Sequence, residues 1–332
     1  MVTLMNIALF TPYFNQPRGN STTAKRLIYF LNKAGVRPSV VTYQENNSST
    51  QKINGDFFHI LHATRFVKWA KEQHFTFNRP YIVTMGGTDI NVDLQTSMSS
   101  DIFLFLNGAN FITVFTEDAK NKVGELYPAW LNKTYVIPQG LWLPWSISPR
   151  RDRLKPSILL PAGLRPVKDV LNVLPGLDEI IHHYSDMTFT VIGANLDESI
   201  HQQVLRQAEQ RKWFNYVGAV PHELMIEEYD KADIIINSSL SEGQPLALME
   251  AMGLGLPVIG RKNKANLQLI LHEETGWLYE TISDFKEAIH SIVNNIPLRE
   301  KVVRQARESM FEKFSPEKEA LAYLSLYKRI GC

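Results

Sequence analysis

The only cysteine in this chain of 332 residues is Cys332, so no disulfide can form within it and no thiolate-based metal site is available. That suits a reducing compartment, and a cytoplasmic location is expected. Long apolar runs are also missing. Nothing approaches the roughly 18 consecutive apolar residues of a membrane span, and residues 1–10, although apolar, lack the basic flank and small-residue cleavage site of a secretory signal. No integral membrane segment is therefore expected. Neither sign of charge is in excess: 35 Lys and Arg stand against 34 Asp and Glu, a formal net charge of +1. No face carries Lys and Arg interleaved with aromatics, which argues against nucleic acid as a partner while leaving room for a local basic pocket around a small anion. No Asp-x-Asp occurs, and no His or carboxylate cluster has metal-ligand spacing, so no metal is expected. Short-period repeats and low-complexity tracts are absent.

What the chain does contain is alternation. Short apolar runs at residues 6–10, 39–42, 57–61, 81–84, 111–115 and 134–137 are separated by longer amphipathic stretches, beginning with residues 21–35. This is the pattern of repeated β-α units on a parallel sheet. Residues 138–156 change to turn formers and exposed aromatics with Arg150, Arg151 and Arg153 between them, the composition of a linker. The alternation then restarts at 157–161, 189–193, 214–217, 234–237 and 257–259. The length suits two domains of roughly 150 residues each. The expected fold is α/β, with two Rossmann-like, doubly wound parallel-sheet domains facing across a cleft. The first spans 1–145, joined by a final helix at 315–332 that crosses back with Leu321, Leu324 and Tyr327 on one face; the second spans 146–314. Sheets of this kind bind ligands at the carboxyl ends of their strands.

The clearest chemical signal lies at residues 237–252. Glu242 and Glu250 stand eight positions apart on either side of Gly243, Gln244, Pro245 and Leu246. Pro245 suits a first helical position, where its missing N–H would be unpaired anyway, and the free amides of such a helix start are a seat for an anion, most often phosphate. Glu250 falls inside the helix among Leu246, Leu248, Met249, Ala251 and Met252, and a carboxylate in that company needs donors. A nucleotide diphosphate across the helix start, with a ribose diol on Glu250, satisfies both demands. An ordinary helix start with an inner Glu paired to Arg or Lys satisfies them too.

From Glu242 to Glu250, an E-x7-E motif, and on through Gly255, Leu256, Pro257, Val258 and Ile259, the chain resembles the retaining GT-B glycosyltransferases of family 4. It is closer still to a subgroup holding the selenosugar synthases and the glycosyltransferase 1 domain-containing proteins. The matching patches are Gly19-Asn20 with Thr23-Ala24, Leu61-His62-Ala63 with Arg65, Gly87-Thr88-Asp89, and the run from Gly163 to Asp169. The resemblance implies roles. Arg165 and Lys168 would hold the donor diphosphate and stabilise its developing charge; Glu250 would bind the ribose; Glu242 would face the donor sugar near its anomeric carbon; Gly243, Gln244, Pro245 and Leu246 would line sugar and phosphate. Gly19, Asn20, Thr23, His62, Arg65, Gly87, Thr88 and Asp89 would receive the acceptor. His62 follows a strand, where an imidazole can orient a hydroxyl or accept a proton, whereas His59 lies within that strand and reads as a core residue.

The chain also departs from the family. Met85 or Gly86 stands where many members have a His, the Arg of the Gly-Arg-Leu loop is displaced to Arg165, Pro138-Gln139-Gly140-Leu141-Trp142 lacks the usual Asp, and Lys264-Ala265-Asn266 with Gln268 replaces a Gly-Gly and a following Glu.

The expected activity is transfer of a sugar from a nucleotide-diphosphate donor, a UDP-sugar by family precedent, to a small acceptor. No metal or cofactor takes part, since the nucleotide sugar is itself a substrate, and the precedent is retention. The subgroup suggests a phosphorylated or otherwise anionic acceptor, selenophosphate being the specific candidate; a hydroxyl acceptor on a metabolite or lipid-linked sugar is an equal alternative. An epimerase on the same fold and a non-catalytic nucleotide-sugar-binding protein stay open as rival readings, as does the oligomeric state.

Overall fold

The computed structural model describes residues 5–16, 18–45, 53, 55–96, 98–145 and 156–331. Its contacts divide the chain into two compact units, Met1–Gly140 with Phe314–Cys332, and Leu141–Lys313. The sequence reading placed the boundary at 145/146. It lies earlier because Leu141 and Leu143 pack against Gly253, and Trp145 against His222 and Tyr229, all residues of the second unit. Most of the linker expected at 138–156 lies outside the described residues.

The first unit holds six parallel strands among its described residues: β1 (Met5–Thr11), β2 (Val36–Thr42), β3 (Phe57–Leu61), β4 (Tyr81–Met85), β5 (Phe111–Val114) and β6 (Thr134–Val136), in the order β2-β1-β3-β4-β5-β6. The central strands β3 and β4 are buried at every position, as expected of strands covered on both faces. Their register pairs Phe58 with Tyr81 and Leu61 with Thr84, so the loops after β3 and β4 start side by side.

The helix Pro316–Ile330, capped by Ser315, belongs to this unit. Leu321 is 57% exposed, however, and the buried face is instead Glu319, Ala320, Tyr323, Leu326 and Tyr327. The reason is a salt bridge with no counterpart in the apolar pattern. Arg26 on the helix Gly19–Lys33 grips Glu319 with two nitrogens, at 2.7 and 3.1 Å. Gly140 N–H donates to the same carboxylate at 2.9 Å. His59 completes the packing: its Nδ1 meets Tyr327 Oη at 2.6 Å and its Nε2 meets Thr84 Oγ1 at 2.7 Å. Burial drives the His59 pKa down to about 3, so the ring is neutral.

The second unit repeats the design with β7 (Ser157–Pro161), β8 (Thr188–Ile192), β9 (Phe214–Gly218), β10 (Ile234–Asn237), β11 (Val258–Arg261) and β12 (Trp277–Tyr279), in the order β12-β11-β10-β7-β8-β9. The sequence reading missed β12, a three-residue strand behind the turn that ends at Gly276. Its apolar core joins Phe189, Val191, Ile234, Ile236, Ile259 and Phe285, among others. Because β7 and β10 are neighbours, the loops leaving their carboxyl ends adjoin. Among the described residues no helix is long and apolar enough to cross a membrane.

Candidate active site

In the second unit, the loop after β7 and the loop after β10 are tied together. Leu240 N–H donates to Val167 O at 2.9 Å, and Ser238 Oγ donates to Lys168 O at 2.8 Å. These bonds bring Lys168 Nζ to 2.5 Å from Glu242 Oε1. The same oxygen also accepts from Ser239 Oγ at 2.7 Å and Asn237 Nδ2 at 3.0 Å. Burial pushes the Glu242 carboxyl up, but the Lys168 charge and the donors from Lys168, Ser239 and Asn237 outweigh it and hold the pKa below the ordinary range. Glu242 is thus ionised and fixed.

Two further residues sustain this floor. Asn266, fully buried, donates to Asn237 Oδ1 at 3.0 Å, and Asn263 donates to Ser239 O at 2.8 Å. Arg261, at the end of β11, bonds Asp169 at 2.6 Å and Ser238 O at 3.3 Å. No spacing rule points to Arg261, since its partners lie on two other loops. Arg165 precedes the 3-10 turn Pro166–Lys168 and is half-buried on the same loop as Lys168.

The helix after this loop runs Leu246–Gly253, one residue later than expected, because Pro245 has ψ 78° and sits outside it as the cap. The amides of the expected anion seat are also partly committed: Leu246 N–H turns back to Gln244 O at 3.0 Å. Gln244 itself reaches Met249 Sδ. Glu250 is buried and does obtain donors, though neither is an Arg or a Lys. His222 Nε2 lies 2.8 Å from Oε1, and Tyr229 Oη donates to Oε2 at 2.8 Å. Trp145 packs on the His222 ring, with centroids 4.8 Å apart. Burial and the neighbouring Glu250 charge push the Tyr229 pKa well up, which keeps its hydroxyl a donor. His222 and Tyr229 were not legible in the sequence.

In the first unit, His62 and Asp89 meet because β3 and β4 are adjacent; Nδ1 of His62 contacts Oδ1 of Asp89. His62 has φ 72° and ψ 94°, a strained conformation for a residue with a Cβ and one that clusters at functional sites. Arg65 and Arg18 both lie over the Tyr13 ring, at 5.9 and 4.1 Å from its centroid. Gly19 and Asn20 open the helix behind Arg18, and Gly87 and Thr88 lead from β4 into Asp89. Thr23 is buried, and its hydroxyl donates to Gln139 Oε1 at 2.6 Å, beside the Arg26–Glu319 pair. Folding brings ligand atoms of His62, Asp89 and Asp93 within 4.8 Å of one another, although sequence intervals alone had suggested no such cluster.

Two parallel α/β units of this build have counterparts among solved structures. Anabaena Alr3699/HepE, solved in complex with UDP and glucose, superposes with a TM-score of 0.74 over 98% of this chain and 100% of that one, at 14% identity. Sucrose-phosphate synthase from Thermosynechococcus elongatus gives 0.75 over 98% and 99%, at 16% identity. The fold is GT-B, and it is the two sequence matches that make the chain a glycosyltransferase. Residues 148–309 match the family described as glycosyl transferases group 1, which places that domain in the second unit. Over 341 aligned positions the chain is 26% identical to glycosyltransferase 1 domain-containing protein 1 of Xenopus tropicalis, covering 96% of each.

Proposed function

We propose that the chain transfers a sugar from a UDP-sugar to a small anionic acceptor, with retention and without a metal at the diphosphate. The observation that carries this is the Glu242 arrangement: an ionised carboxylate, fixed by Lys168, Ser239 and Asn237, stands beside the helix that bears Glu250. The UDP and glucose complex of the structurally similar Alr3699/HepE supports the donor class.

In this reading the diphosphate draws on Lys168 and Arg165, preorganised cations that stabilise the charge developing as the bond to the sugar breaks. Glu242 steadies the positive charge at the anomeric carbon. Each oxygen of Glu250 already holds one donor but retains lone-pair capacity, so the ribose diol adds to His222 and Tyr229 rather than displacing them. The acceptor's nucleophilic atom bonds to the anomeric carbon as the carbon–oxygen bond to the diphosphate breaks. Any proton it carries passes to the departing diphosphate oxygen. The two acids that a glycoside hydrolase sets about 5–9 Å apart are then not required. Arg18 and Arg65 over Tyr13 favour an acceptor with negative charge.

The test is Glu242→Ala. It is expected to abolish transfer while UDP still binds in calorimetry, and product NMR of the wild type should show the donor's anomeric configuration. Undiminished transfer by Glu242→Ala, or an inverted product, would overturn the respective part of the reading.

A further inference from the structure

We propose that His62, Asp89 and Asp93 form a binding site for a first-row divalent cation. The placement follows from the fold. His62 ends β3, while Asp89 and Asp93 are the first and last residues of a single π-helical turn, Asp89–Asp93, that follows β4. Such turns occur often at functional sites. One ligand atom from each of the three residues lies within 4.8 Å of the other two.

Charge makes the case independently of spacing. Asp89 is fully buried, and its Oδ1 touches His62 Nδ1 but, among the described residues, has no aligned hydrogen-bond donor. Its Oδ2 accepts, among the described residues, from the Gly86 N–H at 3.1 Å. Asp93 Oδ2 accepts from Thr64 Oγ1, whose hydroxyl also lies 3.3 Å from His62 Nδ1. A buried carboxylate is ordinarily balanced by Lys or Arg. Among the described residues the ion-pair partner of Asp89 is His62, and the nearby Arg65 is turned to Tyr13. Tyr43 donates its hydroxyl to Leu61 O at 2.7 Å rather than to Asp89. A protonated His62 would supply one positive charge against two carboxylates. A divalent cation supplies two and gives Asp89 Oδ1 a partner besides His62.

Donor chemistry narrows the ion. One imidazole nitrogen with two carboxylate oxygens suits Mn²⁺, Fe²⁺ or Zn²⁺ better than Mg²⁺ or Ca²⁺, which prefer oxygen alone. Asp93, Thr64 and residues 86–88 are part-exposed, which gives the ion a route in. Three protein ligands leave open positions. Resting on the transferase reading above, those positions seat an anionic oxygen of the acceptor, which the bare His–Asp–Asp cluster would repel.

The test uses the full untagged chain stripped with EDTA. It is titrated with Co²⁺, followed by its visible bands, and with Mn²⁺ and Zn²⁺ by calorimetry, Mg²⁺ serving as the hard-cation control. One ion per chain is expected, bound at least ~10-fold more weakly by Asp93→Asn and by His62→Gln, with UDP affinity unchanged in both. Asp93 is part-exposed, so its variant tests the site even if His62→Gln folds poorly. Absence of stoichiometric uptake by the wild type, or equal uptake by the variants, overturns the proposal. Intact metal uptake without UDP-sugar turnover would overturn the transferase reading alone.

Discussion

Replacing Lys168 by Met tests the most consequential contact in the second unit. Lys168 and Glu242 side chains are 15% and 11% exposed, so their pairing is largely shielded from water. Breaking a buried pair from one side costs about 3–5 kcal/mol, because the remaining charge is stranded. Glu242 keeps Ser239 and Asn237 as donors, which lowers the expected loss to about 2–3 kcal/mol. The double variant Lys168→Met/Glu242→Gln carries no stranded charge. It should recover at least about 1 kcal/mol relative to additivity, measured by guanidinium unfolding as a double-mutant cycle. A pH test sharpens this. The wild-type Glu242 pKa lies below the ordinary carboxylate value, so its pairing stabilises the fold above roughly pH 4.5 and is lost as pH falls through the depressed value. Without Lys168, burial alone pushes that carboxyl up, and the Lys168→Met deficit should shrink between pH 7 and pH 4 as Glu242 takes a proton. Additive single variants, or a deficit that grows on acidification, would refute the assignment of Lys168 as the charge that holds Glu242. The stable double variant should also be inactive, separating chemistry from folding.

Two other outcomes are expected. His59, neutral with a pKa of about 3 against roughly 6.5 when unfolded, should make stability fall by about 1.4 kcal/mol per pH unit as pH drops from 6.5 toward 4, because only the unfolded chain takes the proton there; the difference between wild type and His59→Gln in urea titrations should vary with that slope. Gly140→Ala would set a Cβ 2.3 Å from Pro316 Cα, forcing backbone apart beside the Glu319 carboxylate, and a loss of about 1–3 kcal/mol should appear as a lowered Tm.

Both sheets were largely legible because their strands are continuous apolar runs bounded by turn residues, as at Phe57–Leu61 and Ile234–Asn237. Leu321 was misread because a period count favours Leu, whereas Glu319 is drawn inward by Arg26, a partner nearly the length of the chain away; Tyr327, expected on the packed face, is buried against His59. The same reason hides His222 and Tyr229: a carboxylate's need for donors is visible at Glu250, but their identity is set by which loops adjoin in space. Pro245 follows from local rules to within one residue. Asp93 shows the converse limit, since it lies four positions from Asp89 and neither interval to His62 resembles a ligand motif until β3 and β4 pair.

The helix Pro316–Ile330 has a consequence for the order in which the protein is made. The sheet β1–β6 leaves the ribosome first, yet the residues that cover His59 and Thr84, and that neutralise Arg26, are translated only after the whole second unit. During that interval the first-made half carries an uncapped apolar face and an unpaired guanidinium, the state in which a nascent chain most needs a chaperone. Closure of the first-made fold thus waits until the second unit has been translated.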